Sequence, residues 1–192
     1  MVKLTGKKNT AVFISGRGSN LKSLIKYSKS RNSLIKIVLV ISNNSKAKGL
    51  EYAEKSKINN IFIKYINRKN FESRSLELLK KNNVNLICLA GFMKILSGNF
   101  IKNFYKPILN IHPSLLPKYK GLNTHSRAIK NKDKYTGATV HLVNQKLDSG
   151  EIIIQKKVKI FKTDNKKSLE KKVLKIEHKI YPKAIIKLLT SY

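Results

Sequence analysis

Thr10-Ala11-Val12-Phe13-Ile14-Ser15-Gly16-Arg17-Gly18-Ser19-Asn20 begins as a short apolar strand and ends in a glycine turn. Leu21, Leu24 and Ile25 follow at helical spacing, so strand, turn and helix start stand in immediate succession. In that arrangement backbone N–H groups and the helix dipole point into the turn, which suits an anion. No Gly-Lys-Ser/Thr follows, so the loop is not a Walker A loop, and the three-glycine dinucleotide spacing is incomplete. An ordinary tight turn capped by Ser19 or Asn20 remains an alternative at this point.

Outward from this stretch the same grammar repeats. Ile35 to Ser42 is a nearly continuous apolar strand of the kind covered on both faces. Asn43-Asn44-Ser45 ends it, and a helix is expected from Gly49 to Lys55. Ile61 to Lys64 reads as a short strand, and a helix containing Phe71, Leu76 and Leu79 closes near Asn82-Asn83. Leu86 to Ala90 is a further buried strand, broken at Gly91. Another begins at Ile108 and is stopped by Pro113, which cannot donate to a central ladder. Short connections between alternating strands and helices predict an α/β fold with a mostly parallel twisted sheet, Rossmann-like, with helices on both faces. Beyond it, His125 to Asn131 predicts a short helix. Gly137–Val143 and Glu151–Lys159 predict an antiparallel hairpin added to the sheet. A long helix is expected from about Leu169 to Leu189, opened by Ser168 and bent or split at Pro182. No repeat or linker divides the chain, so residues 1–192 read as a single domain.

Composition narrows the class. The chain carries 41 Lys and Arg against 10 Asp and Glu, a formal net charge of +31. That balance invites a polyanion partner, but the basic residues run from end to end and only five are arginine: Arg17, Arg31, Arg68, Arg74 and Arg127. Lysine, asparagine and isoleucine are in excess together, as A/T-rich coding would produce. No specific nucleic-acid partner is expected. The basic stretch Met1–Asn9 lacks the apolar core of a secretory signal, and no apolar run is long enough to span a bilayer. Cys88 is the only cysteine, which suits a reducing cytoplasm.

Asn110 and His112 sit two apart, so on an extended strand their side chains leave the same face. One is a neutral donor and acceptor; the other moves a proton near pH 7. The histidines are His112, His125, His141 and His178. No pair has the spacing of a zincin, and no second cysteine is present, so no metal site is expected. Gly16-Arg17-Gly18-Ser19 does not match a nucleophile elbow. An Asn, a His and the later Asp148, at strand and loop ends, suit transfer of a one-carbon acyl group.

Asn110-Ile111-His112-Pro113-Ser114-Leu115-Leu116-Pro117, with Asp148 downstream, resembles the signature of the 10-formyltetrahydrofolate-dependent formyltransferases. Ile14 to Asn20 and Leu89-Ala90-Gly91-Phe92-Met93 make the chain similar to the branch that formylates glycinamide ribonucleotide in purine synthesis. The resemblance runs from Thr10 through Glu177-His178 and Tyr181-Pro182. It implies that Asn110, His112 and Asp148 are catalytic, with protonated His112 stabilising an oxyanion. It implies that Gly18, Ser19 and Asn20 hold the substrate phosphate and that Glu177 lies near the glycinamide. Met93, Lys94, Ile95 and Leu96 would wall the folate, together with Asn144, Gln145, Lys146 and Leu147 up to Asp148. Arg74 would lie toward the folate side, and His125 and His141 would support. The donor implied is 10-formyltetrahydrofolate with no metal, and the protein would act as a monomer or weak homodimer. Lys94 stands where arginine is common in the family, and Asn123 replaces a histidine seen in some relatives. Two other readings stay open. One is a formyltransferase acting on methionyl-tRNA, which would carry an extra carboxy-terminal tRNA-binding domain. The other is a non-catalytic RNA-binding protein on the same scaffold.

Overall fold

The computed structural model describes residues 6–191, so of the basic stretch Met1–Asn9 residues 1–5 lie outside the described residues. The elements are β1 (Lys8–Ile14), α1 (Ser19–Ser28), β2 (Ile35–Ser42), α2 (Lys48–Lys55), β3 (Asn59–Phe62), α3 (Arg68–Lys81) and β4 (Leu86–Leu89). Then come α4 (Gly98–Phe104), β5 (Ile108–His112), α5 (Thr124–Lys130), β6 (Tyr135–Leu142), β7 (Ile152–Lys159) and α6 (Lys166–Thr190). The strands pair in the order β3-β2-β1-β4-β5-β6-β7. Two compact units meet between Leu109 and Asn110, inside β5.

In the first unit β1 runs parallel to β2 on one side and to β4 on the other, and β2 runs parallel to β3. Ala11 to Ile14 are fully buried, as a strand covered on both faces requires. Phe13 meets Phe71 and Phe100 edge-on at 6.2 Å each, which ties β1 to α3 and α4. The chain steps from β1 to β2 to β3 in one direction and then returns to the far side of β1. Right-handed crossovers therefore put α1 and α2 on one face and α3 and α4 on the other. Consistently, α1 packs on α2 and α3 on α4. The order reverses between β1 and β4, and the loops leaving their carboxyl ends flank the crevice where such sheets bind ligands.

In the second unit β6 and β7 form the expected antiparallel hairpin, from Tyr135 opposite Lys159 to Val140 opposite Ile154. The register slips between Val140 and His141, where the strand hands over to the site. Helix α6 packs across both strands, and α5 packs on α6.

Several sequence expectations shift. Helix α4 has no counterpart in the sequence pattern: it is only seven residues long, opens on a glycine and takes a side-chain cap from Ser97. The cap of α6 is Asn165, not Ser168. Asn165 Oδ1 accepts from the Ser168 N–H at 2.9 Å while Ser168 Oγ accepts from the Asn165 N–H at 3.0 Å. Pro182 does not split α6, which runs 25 residues without interruption. A proline inside a helix costs about 3 kcal/mol, and here burial offsets it, because Tyr181, Ala184 and Ile185 on either side are fully enclosed.

Candidate active site

In the first unit the loop after β1 is organised by Gly18, which caps α1 with φ +71° and ψ +22° and contributes no side chain. Ser19 and Asn20 lie inside the helix rather than capping it, and Gly18 makes no side-chain cap bond. A Cβ on Gly18 would come within 2.4 Å of the Gly49 Cα, and Gly49 N–H donates to the Gly16 carbonyl at 3.2 Å. Two glycines thus let α2 press against the loop after β1. Ser15 completes the arrangement. Its Oγ donates to Asn43 Oδ1 at 2.6 Å and accepts from the Met93 N–H at 2.8 Å, while its N–H donates to the Gly91 carbonyl at 3.2 Å. One hydroxyl therefore joins the loops after β1, β2 and β4, a role that no spacing in the sequence announces.

The Gly91–Leu96 loop divides in character. Phe92 stacks on Phe71 at 5.6 Å, and Leu96 is buried. Met93 and Ile95 remain exposed, and Lys94 Nζ lies 4.4 Å from the centre of the Tyr65 ring. Arg74 is exposed on α3.

The second unit gathers Asn110, His112, His141 and Asp148. Strand β5 turns Leu109 and Ile111 to one side and Asn110 and His112 to the other, as the two-residue period requires. Asp148 arrives from the β6–β7 connection in a left-handed backbone (φ +46°), a conformation that Asp and Asn tolerate better than most residues. Gly150 closes this turn because a Cβ there would lie 1.7 Å from the Leu142 carbonyl oxygen. His112 Nδ1 is 3.3 Å from Asp148 Oδ2, and that oxygen also accepts from the Gly121 N–H at 2.8 Å. Asn110 Nδ2 donates weakly to Asp148 Oδ1 at 3.4 Å and lies 3.2 Å from His141 Nε2. His141 Nδ1 donates to the Leu142 carbonyl at 2.7 Å, and its Nε2 lies 3.6 Å from Asp148 Oδ1.

Burial pushes the His112 imidazole below its ordinary value, and the Tyr119 carbonyl and the Asp148 carboxylate only partly offset this. Desolvation thus outweighs the carboxylate in this balance, although both ring nitrogens face acceptors, Nε2 the Tyr119 carbonyl at 2.8 Å and Nδ1 the Asp148 carboxylate at 3.3 Å. Burial alone would raise the Asp148 carboxyl. His141, the Gly121 N–H and His112 outweigh it and hold Asp148 below the usual carboxylate range. The result is an ionised carboxylate beside an imidazole whose two nitrogens both face acceptors, next to an amide donor. That set can accept a proton and donate hydrogen bonds to an oxygen that becomes negative.

Around this cluster, Asn144 to Leu147 form an exposed loop in which Asn144 Oδ1 accepts from the Lys146 N–H at 3.0 Å. Glu177 is buried on α6. Burial also lowers the His125 imidazole. Asn123 caps α5 with φ +59°, a backbone state that asparagine fills more readily than histidine. Among the described residues no group of three or more His, Cys, Asp or Glu could hold a metal ion, and no helix is long and apolar enough to cross a membrane.

Residues 8–185 match the formyl transferase family, to which this chain therefore belongs. Within it, the chain is 45% identical over 181 residues to the phosphoribosylglycinamide formyltransferase of Haemophilus influenzae, covering 93% of this chain and 85% of that protein. It is 43% identical over 184 residues to the trifunctional purine biosynthetic protein adenosine-3 of Gallus gallus, covering 94% of this chain but only 18% of that much longer protein. The crystal structure of phosphoribosylglycinamide formyltransferase from Anaplasma phagocytophilum superposes with a TM-score of 0.86 at 43% identity, covering 92% of this chain and 84% of that one.

Proposed function

We propose that this chain transfers the formyl group of 10-formyltetrahydrofolate to the amine of glycinamide ribonucleotide, in purine synthesis in the cytoplasm. Residues 1–192 then act as one formyltransferase domain, as a monomer or weak homodimer with small-molecule partners only. The observation that carries this reading is the buried set of Asn110, His112 and Asp148, with the Asn110 and His112 side chains on one face of β5.

Asn110 Nδ2 gives up its 3.4 Å contact with Asp148 and donates to the formyl oxygen as it gains charge. As the amine attacks the formyl carbon and the new C–N bond forms, His112 Nδ1 takes the amine proton. Asp148 at 3.3 Å stabilises the imidazolium so formed. His112 returns the proton to the folate nitrogen as the old C–N bond breaks, so the enzyme ends as it began. Gly18, Ser19 and Asn20 receive the phosphate through backbone N–H groups at the start of α1. Arg74, Met93 to Leu96 and Asn144 to Leu147 wall the folate, and Glu177 lies toward the glycinamide. Lys94 keeps the positive charge of the arginine common in the family, without its planar fork.

The test is a direct assay of the purified protein with a 10-formylfolate donor, offering glycinamide ribonucleotide or initiator methionyl-tRNA as acceptor. Formylation of the ribonucleotide with equal release of deformylated folate is expected. Formylation of the tRNA alone, or salt-resistant RNA binding without transfer, overturns the reading.

A further inference from the structure

Glu72 takes no part in the chemistry above, and it is buried on α3. Both of its carboxylate oxygens are spent on a single residue. Oε1 accepts from the Ser97 N–H and Oε2 from the Ser97 hydroxyl, each at 2.6 Å. The hydroxyl oxygen accepts in turn from the Phe100 N–H at 3.1 Å, which starts α4. Two short bonds between one pair of residues fix an orientation as well as a distance. Ser97 needs only its own oxygen to cap α4, so the carboxylate does more than the cap requires. A carboxylate taken out of water costs stability unless its bonding geometry is good.

Ser97 closes the segment of residues 91–96 that leaves β4. The front of that segment is pinned by Ser15, whose Oγ accepts from the Met93 N–H at 2.8 Å and whose N–H donates to the Gly91 carbonyl at 3.2 Å. Phe92 stacks at 5.6 Å on Phe71, the neighbour of Glu72 in α3, and meets Phe13 edge-on at 5.5 Å. Helix α3 therefore grips the segment twice from consecutive residues, Phe71 at Phe92 and Glu72 at Ser97. Leu96 is buried and directly precedes Ser97, so the rear of the segment follows Ser97. Between the anchors Met93 and Ile95 stand 64% and 51% exposed. Two apolar side chains with so little core of their own take their position from the ends of the segment.

We propose that Glu72 is the positioning residue of the wall formed by residues 93–96: by holding both donors of Ser97 it fixes the rear of the segment and, with Ser15 at the front, presents Met93 and Ile95 as a preformed apolar edge for the ring of the formyl donor. That this edge meets folate rests on the formyltransferase reading. That Glu72 sets it does not, because the contact needs no ligand.

The chain has two methionines, Met1 and Met93, so carbon-13 labelling of the methionine methyls puts a reporter on the wall, assigned by its loss in Met93→Leu. In ligand-free Glu72→Ala the Met93 signal should shift and sharpen as the segment comes loose. Calorimetric titration of the same variant with 10-formylfolate, without acceptor, should give a Kd raised about tenfold, the factor that one hydrogen bond of ordinary net strength supplies. The Kd of glycinamide ribonucleotide, and kcat at saturating donor, should stay close to the parent values. Glu72→Gln keeps an acceptor for the Ser97 N–H and offers a donor to the hydroxyl oxygen, so it should return signal and affinity most of the way. A contact that merely joins α3 to α4 would lower the melting temperature and nothing else. A folded Glu72→Ala protein with the parent Met93 signal and the parent affinity for 10-formylfolate therefore overturns the proposal. Should that variant fail to fold, Ser97→Ala, which loses the hydroxyl bond and keeps the N–H bond, is read in the same way. A parent protein that binds no 10-formylfolate overturns the functional reading instead, and the Met93 signal then still decides the clamp.

Discussion

Replacing Asp148 with asparagine separates the charge of this residue from its shape. The left-handed backbone at φ +46° is one that asparagine also adopts, and its side-chain oxygen can still accept from the Gly121 N–H. Its amide can offer a hydrogen toward His141 Nε2, which lies 3.6 Å from Asp148 Oδ1. Folding stability at neutral pH should therefore change by no more than about 1 kcal/mol, within the range of a typical hydrogen bond. The reaction loses more. At 3.3 Å a carboxylate and an imidazolium attract by about 5 kcal/mol at an effective dielectric near 20. The dipole of the amide retains part of that, and removal of one preorganised electrostatic group typically costs about 2.7–4 kcal/mol. The expected loss in kcat is on the order of a hundredfold to a thousandfold, with KM values little changed. Steady-state kinetics beside a thermal melt read both quantities. A well-folded Asp148→Asn enzyme with near-normal turnover would show that the carboxylate only shapes the turn.

Three further expectations follow from the same geometry. Because burial holds His112 below its ordinary value, the acid limb of kcat/KM should lie below pH ~6.5, with activity lost as pH falls through the folded value; an acid limb centred above that value contradicts this lowering. Gly18→Ala adds a Cβ 2.4 Å from the Gly49 Cα in a left-handed backbone. It should cost about 1–3 kcal/mol of stability and weaken calorimetric binding of glycinamide ribonucleotide more than that of a folate analogue, so equal weakening of both ligands argues against a phosphate loop. Lys172, the Phe161 N–H and Ser168 hold the Asp164 carboxyl down at about 2, so its stabilising contribution is complete above roughly pH 4 and lost as pH falls toward about 2. The difference in melting temperature between the parent and Asp164→Asn should accordingly shrink across that window, and a widening gap refutes the linkage.

What the sequence made legible follows from which forces act locally. Strands β1, β2, β4 and β5 stand out because burial on both faces demands unbroken apolar runs, and the Asn110–His112 pair stands out against such a run. Helix α4 leaves no such trace. Its anchor is the Glu72 carboxylate, which accepts from the Ser97 N–H and hydroxyl, both at 2.6 Å, across 25 positions of sequence. The capping of α6 was misread by three residues because Asn165 and Ser168 both have capping side chains, and only geometry shows which one starts the helix. In the site, residue types were legible and charge states were not. Burial lowers the His112 imidazole, and its Nε2 meets the carbonyl of Tyr119, seven residues away at a positive φ that nothing about a tyrosine foretells.

The contact between Asp148 and His112 also governs how the site titrates. A carboxylate oxygen and an imidazole nitrogen face each other at 3.3 Å with room for a single proton and two places to hold it. Such a pair takes up that proton jointly, so the breakpoints of a rate profile belong to the couple, and substituting either partner moves both. Both side chains are enclosed, with 7% and 6% of their surface exposed. They therefore titrate as one enclosed unit, and the pH dependence of the site is a property of the pair rather than of either residue.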